Sequence, residues 1–544
     1  MTSVETRVAG GREWLALAVL ALGTLLVAVD VFVLLLALPT LSRDLGADSN
    51  QQLWITDIYG FLLAGLLLTM GNLGDRIGRR RLLLIGAAGF GVASLLAAFS
   101  TSPEMLIVAR ALLGIAGATL TPSTLALITN IFQDPKQRAM AIGAWGATWT
   151  IGAIIGPIVG GVLLANFWWG SVFLIGVPAM VVLVISGPIL LPEHRDPNPG
   201  RIDLFSVLLS LLTLLPIIYA IKELTRYGWQ PLPLASLVLG VVCGALFFRR
   251  QRTLTSPMLD LRVFNNRIFN TSLGSLFSYS FIGGSTMLFM VLYFQLVGEL
   301  STIQAGLAML PGALAGTVAF AITPIVARKI RPAYVMAGGL LGAVCMILLM
   351  TTASGSSGTA IIIISFAGYS FFGVPLVALG TNVVMSAAPP ERGGVAGSLT
   401  QLSNEFGATL GAAVMGVIGF SVYRLLVVDT IPTEVPADAA AIARDSMAGA
   451  VSVAGDLPGP VADNLLAQAR DSFASGLHTV IIINAVIMTC MALLIATMLR
   501  HLPPIGQAAP VPGGSPEPAA AGDRGTAAGE SAEQPEATAP AGGD

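Results

Sequence analysis

The stretch Gly71-Asn-Leu-Gly-Asp-Arg-Ile-Gly-Arg-Arg-Arg-Leu82 lies between two long apolar runs. Gly71 and Gly78 permit a tight turn with close backbone approach. Asp75 has arginines to accept from, or a following helix to cap. Arg76, Arg79 and Arg80 anchor the loop at the cytoplasmic face. Anchoring alone accounts for the arginines but not for the Gly-x-x-x-Asp-Arg-x-Gly spacing. The spacing between the two apolar runs asks for more than anchoring.

Composition agrees. The 544 residues are 55% hydrophobic and 11% charged, with mean hydropathy +0.81. A soluble domain carries about 25% charged residues, so this chain belongs in a bilayer. The net charge of −2 says little about partners because the charges are segregated, and no basic stripe suggests nucleic acid. Cys243, Cys345 and Cys490 fall in apolar runs and read as small buried hydrophobes. Arg7 and Arg12 precede an apolar run longer than a signal-peptide core, so that run reads as an uncleaved first span.

A span needs about 20 apolar residues. Fourteen candidates emerge, at 14–39, 52–71, 82–100, 104–128, 138–165, 170–190, 203–221, 232–248, 270–297, 304–327, 333–351, 358–386, 394–424 and 475–499. Lys and Arg concentrate in alternate loops, from Arg76–Arg81 through Lys136, Arg195, Arg249, Arg328 and Arg392. Cations mark the cytoplasmic side, so both termini are expected in the cytoplasm. Residues 425–474 hold seven acids and two arginines, and their Ala-rich runs 437–450 and 459–474 predict two short amphipathic helices outside the membrane. Residues 503–544, rich in Pro, Ala, Gly and Glu, predict a disordered cytoplasmic tail.

A weak repeat relates Gly74–Arg81 to Ala327–Pro332, and Asp134–Arg138 to Pro389–Gly393. It divides the chain into an N-terminus (1–13), a six-helix half (14–190), two added central helices (191–269), a second six-helix half (270–499) and a tail (500–544). Related halves are the signature of alternating-access transporters, with the site near the midplane between them.

Four ionisable residues stand within or close to the apolar runs: Asp30, Asp57, Arg110 and Glu405. Charge inside a membrane is costly and marks function by default. Asp30, Asp57 and Arg110 fall at compatible depths for an ion-pair network. Aligning Arg138 with Arg392 sets Glu405 opposite Ile151, beside the run Gly152-x-x-x-Gly156-Pro157-x-x-Gly160-Gly161. Small residues at that spacing allow close helix approach, and Pro157 removes a backbone hydrogen bond and bends the helix. Bland alternatives remain for the acids: Asp57 beside Trp54 and Tyr59 in an aromatic belt, and Glu405 paired with Arg392 or Arg424. The aromatics Trp145, Trp149, Tyr279, Tyr293, Tyr369 and Phe406 are available to stack on cations.

Taken together, these pieces resemble the major facilitator superfamily. The 71–82 loop resembles its signature cytoplasmic loop. Arg110-Ala-Leu-Leu-Gly114 and the Gly156-Pro157 segment resemble two signatures of its drug:proton antiporter branch. Asp30 in a span ending Ala37-Leu38-Pro39 is similar to the fourteen-span EmrB/QacA type, closest in look to SmvA-like and actinobacterial multidrug efflux pumps. The resemblance covers residues 12–500. It implies an all-α integral membrane fold of two six-helix halves plus two inserted helices. It also implies proton-coupled efflux of lipophilic cations from a bacterial cell by a monomer, using the proton gradient and no cofactor. By match, Asp30, Arg110 and Asp57 would couple protons. Glu405, Asp57 and Asp30 would bind cations. Gly152, Gly156, Pro157, Gly160 and Gly161 would serve antiport. Residues 304–327 hold no carboxylate where some relatives carry one, a departure that bears on divalent cations. The alternative is export of one natural product, antibiotic, siderophore or lipid on the same fold. An enzyme is not expected. Lys136, Lys222 and Lys329 build no phosphate loop, and His194, His478 and His501 build no metal cluster.

Overall fold

The computed structural model describes residues 9–47, 49–193, 203–227, 230–254, 257, 259, 261–353, 358–388 and 393–505. Helices dominate because a backbone in hydrocarbon must satisfy its own polar groups. They are α1 (Gly11–Leu45), α2 (Ser49–Ile77), α3 (Arg79–Ala98), α4 (Pro103–Ile131), α5 (Pro135–Asn166), α6 (Ser171–Leu174) and α7 (Gly176–Leu190). Then follow α8 (Leu204–Tyr227), α9 (Pro231–Thr253), α10 (Arg267–Leu292), α11 (Thr302–Ala308), α12 (Leu310–Val326), α13 (Pro332–Leu349) and α14 (Gly358–Ala387). The chain continues through α15 (Gly393–Val427), α16 (Ala437–Asp445), α17 (Met447–Ala454) and α18 (Gly459–Met498).

Local chemistry sets the starts. Ser102 accepts from the Met105 amide at 3.2 Å ahead of Pro103, and Asp134 accepts from Gln137 at 2.8 Å ahead of Pro135. Each is an N-cap followed by the proline that the first turn tolerates. Thirteen stretches among the described residues are long and apolar enough to span a membrane. The 32-residue α5 packs among them as a fourteenth long element.

The packing repeats. α1 lies on α5, α2 on α4, and α3 on α4 and α7. In the second bundle α10 lies on α15, α12 on α14, and α13 on α14 and α18. The bundles meet where α5 packs on α12 and α2 packs on α15. α8 and α9 pair with each other, and α8 touches both α2 and α15. Its Leu214, Leu215 and Ile218 form a small apolar cluster with Phe61, Ala64 and Phe406.

Three boundaries differ from the sequence reading. Gly71 is helical, because α2 continues to Ile77 and the break falls on Gly78 alone, at φ +112°. That backbone conformation is open to glycine and strained for other residues. Residues 459–474 are not a separate helix. They are the first turns of the 40-residue α18, which starts just after Pro458 and has no breaker before the apolar run. The segment between α15 and α18 is therefore α16 packed on α17 and α17 packed on α18, with Ala440, Ala443, Met447 and Ala450 buried in the core of the second bundle. Residues 500–505 fold back, since the Ile505 amide donates to the Ala327 carbonyl at 2.9 Å. The predicted disordered tail from 506 onward lies outside the described residues.

Asp203 ties the inserted pair together. Its carboxylate accepts from Arg250 at 2.6 and 3.0 Å and from the Ser206 hydroxyl at 2.7 Å, capping α8. The Arg250 hydrogen bonds, foremost among the causes, hold this carboxyl down to about 2. A lowered carboxyl contributes stability above its unfolded value of about 3.9 and loses it as pH falls through the folded value. Asp203→Asn should therefore lower the melting temperature in detergent modestly, by the same amount from pH 5 to pH 8. A cost that varies across that range contradicts this role.

Candidate functional site

A guanidinium keeps its charge at any ordinary pH, so Arg110 must be answered wherever α4 carries it. It is 1% exposed. Nη1 donates to Asp30 Oδ2 of α1 at 2.5 Å, and Nε donates to the Ile55 carbonyl of α2 at 3.3 Å. The guanidinium carbon stands 4.4 Å from the centroid of the Tyr59 ring, also on α2. Three helices thus converge on one cation through a charge-assisted bond, a carbonyl and a π face.

Small residues make the convergence possible. A Cβ on Gly114 would lie 2.5 Å from the Tyr59 carbonyl oxygen. A Cβ on Gly152 would lie 2.5 Å from the Ala28 Cβ, so α5 rides against α1 two residues before Asp30. Gly156 and Gly160 are buried, while a Cβ on Gly161 would meet nothing within 4 Å. Gly161 is therefore no part of the close contact. The Pro157 side chain lies outside the described residues, and α5 is continuous through that position. The Trp145 indole N–H donates to Thr24 at 2.9 Å and Thr124 at 3.3 Å, which ties α5 to α1 and α4.

Asp57 is half-buried. It lies two residues from both Ile55 and Tyr59, about 200° around the helix axis from the side that faces Arg110. Glu405 is half-buried on α15 and accepts from Gln401 at 3.1 Å. Its neighbour Phe406 packs on the cluster of Phe61, Ala64 and Ile218, which sets this part of α15 against the helix that carries Tyr59. The repeat places Glu405 beside the α5 glycines; in the structure α15 packs on α2 and α4 of the first bundle. Its suggested partner Arg424 pairs instead with Asp445 at 3.0 Å, and Arg392 lies outside the described residues. Tyr279 and Tyr369 stack on each other, ring centroids 5.7 Å apart.

The Gly78 turn holds a second buried pair. Arg79 Nε donates to Asp75 Oδ1 at 2.8 Å, and Arg79 is 1% exposed rather than lying at the surface as an anchor. Asp75 Oδ2 accepts from the Val395 amide at 3.3 Å. The helix capped is thus α15 of the opposite bundle, where a carboxylate suits the positive end of the helix dipole. Arg80 donates to the Pro188 and Leu191 carbonyls at 3.3 and 3.1 Å. Arg76 lines a cavity of about 190 Å³ with Thr69, Asn72 and Asp203. At the same arginine-rich end, Ser398 donates to the Leu67 carbonyl at 2.8 Å and Arg138 to Ser386 at 3.0 Å. These contacts close the bundles together at that end.

Paired bundles, a buried arginine–aspartate pair and the Gly78 turn agree with a family model, that of the Major Facilitator Superfamily, which matches residues 20–412. The chain belongs to the major facilitator superfamily. Its relatives in this superfamily include the "Multidrug efflux pump LfrA" of Mycolicibacterium smegmatis, 41% identical over 90% of this chain and 97% of the relative. The "Methyl viologen resistance protein SmvA" of Salmonella typhimurium is 35% identical over 85% and 93%. The "Tetracenomycin C resistance and export protein" of Streptomyces glaucescens is 33% identical over 86% and 88%. A solved structure, the human organic anion transporter MFSD10, shares the fold with TM-score 0.55 at 16% identity, over 88% of this chain and 99% of that one. Major facilitator homologues that are efflux pumps make this chain a multi-pass drug efflux transporter and not an enzyme.

Two of the signature glycines give a paired test. Gly152→Ala forces α1 and α5 apart and should cost about 1–3 kcal/mol, the usual range for overpacking. Gly161→Ala should be neutral or slightly stabilising. Thermal unfolding of both variants in the same detergent checks this, and equal losses contradict it.

Proposed function

We propose that this protein is a proton-coupled multidrug antiporter that exports lipophilic cations by alternating access. The observation that carries the reading is the Asp30–Arg110 pair, almost wholly removed from solvent, with Glu405 on α15 of the opposite bundle, which packs on α2 and α4. A carboxylate held against a fixed cation can exchange that contact for a proton. Movement of the bundles that loosens the Arg110 contact makes Asp30 take up a proton, and closure releases it. Each charge moved through the membrane potential supplies about 2.3 kcal/mol per 100 mV.

The arginine-rich end is assigned to the cytoplasm on the positive-inside rule, with both termini there and the bacterial cell membrane as location. Asp75, Arg79 and the start of α15 then act as the cytoplasmic latch of an outward-directed state. The helix face around Gly152, Gly156 and Gly160 lets α5 pivot on α1. Glu405 and the Tyr279–Tyr369 stack offer charge and π surface to a flat cation. Similarity to proteins named for multidrug efflux and for resistance to methyl viologen, a quaternary dication, supports this substrate class. A second reading, export of a single uncharged natural product, draws on the relative named for tetracenomycin C export. The transporter works as a monomer with no cofactor.

Ethidium efflux from matched-expression cells, with and without a protonophore, tests the proposal. Asp30→Asn should lower gradient-driven efflux at least about tenfold, a loss equivalent to about 1.4 kcal/mol. Protonophore-insensitive wild-type efflux, or an unimpaired Asp30→Asn, would sink the coupling role. Glu405→Gln should weaken resistance to quaternary ammonium compounds and spare neutral drugs, because it removes the charge that offsets desolvation of a buried cation. Equal loss for both classes favours a coupling or structural role for Glu405.

A further inference from the structure

Tyr59 does two things at once. Its ring lies under the Arg110 guanidinium, and its hydroxyl is buried without a hydrogen-bond partner among the described residues. The residue is 3% exposed, and the hydroxyl ends beside α4, where a Cβ on Gly117 would stand 3.4 Å from it. A phenylalanine would supply the same π face and the same bulk. The oxygen therefore has no structural task in this conformation, yet leaving a buried hydroxyl unsatisfied is costly. Such an atom calls for an explanation.

Its surroundings give one. Arg110 of α4 covers the Tyr59 ring and bonds Asp30 of α1, and α15 sets Phe406, the neighbour of Glu405, against the Phe61 and Ala64 cluster of the Tyr59 helix. Asp57 stands on its own helix, and α8, which also packs on α2, carries Tyr219 and Glu223. Resting on the proton-coupled reading above, we propose that the Tyr59 hydroxyl is the positioning group that links the protonation of Glu405 to the Asp30–Arg110 pair. The hydroxyl keeps its own proton and only redirects its donation. It donates to Glu405 when that carboxylate is charged and uncompensated, and turns back toward Asp30 when a proton or a cationic substrate neutralises Glu405. A donor to an ionised carboxylate favours the ionised form. One bundle's occupancy is thereby reported to the other through a single hydrogen bond.

The test is the pH profile of ethidium transport in proteoliposomes under a fixed imposed proton gradient. Wild type, Tyr59→Phe, Glu405→Gln and the double variant are compared. Losing the donor should move the pH of half-maximal transport upward by about half to one unit in Tyr59→Phe. In the Glu405→Gln background the same change should add nothing. Gly117→Ser offers the hydroxyl a competing partner and should shift the profile in the same direction, whereas Gly117→Ala should leave it in place. A superimposable Tyr59→Phe profile, a uniform drop at every pH, or an undiminished shift in the Glu405→Gln background overturns the link. A wild-type profile flat with pH removes the proton-coupled reading and the link together. A pH-dependent wild type with an unmoved Tyr59→Phe removes the link alone.

Discussion

The charge on Arg110 constrains the rest of the first bundle. It cannot be titrated away, and an unanswered buried cation costs several kcal/mol. Asp30, the Ile55 carbonyl and the Tyr59 ring answer it from two other helices. Those partners reach it only because Gly114 lets α4 seat on α2 and Gly152 lets α5 seat on α1. The small-residue contacts and the ion pair are parts of one arrangement. Loosening the helices weakens the pair, and weakening the pair leaves a charge that the helices cannot hold.

The same logic recurs at the arginine-rich end, with a different readout. Asp75 satisfies Arg79 within its own bundle and accepts from the first turn of α15 across the interface. A Cβ on Gly393 would lie 2.9 Å from Arg79 Nη2, so the tip of α15 is seated directly on the pair. A carboxylate shared between an arginine and a helix N-terminus holds the bundles together through electrostatics that one helix shift undoes. The buried pair and this latch are connected through α4: Arg110 and the carbonyl of Ala126, which accepts from Arg79 at 3.3 Å, both belong to it, on either side of Pro122.

Much of this was legible in the sequence, for physical reasons. Long apolar runs dictate helices, and charge within them is too costly to be incidental, so Asp30 and Arg110 stood out and their depths predicted the pair. The misses share a cause: each depended on what a neighbouring helix supplies. Arg79 looked like a surface anchor until Asp75 and α4 buried it. The approach of α15, which carries Glu405, to α2 is set by packing that no local pattern encodes. Tyr59 read as an interfacial aromatic beside Trp54; its spacing of four from Ile55 was the signal that both face α4. Residues 459–474 read as a separate helix because their polarity hid their continuity with α18.

In the proposed mechanism the Asp30–Arg110 pair exchanges protons for substrate. Purified protein in proteoliposomes with a trapped pH indicator, without an imposed gradient, tests it most directly. Adding ethidium to one side should drive protons in the opposite direction in wild type, and Asp30→Asn should abolish that flux while still binding the dye. Ethidium movement without proton counterflow in wild type, or equal proton flux in Asp30→Asn, would contradict it.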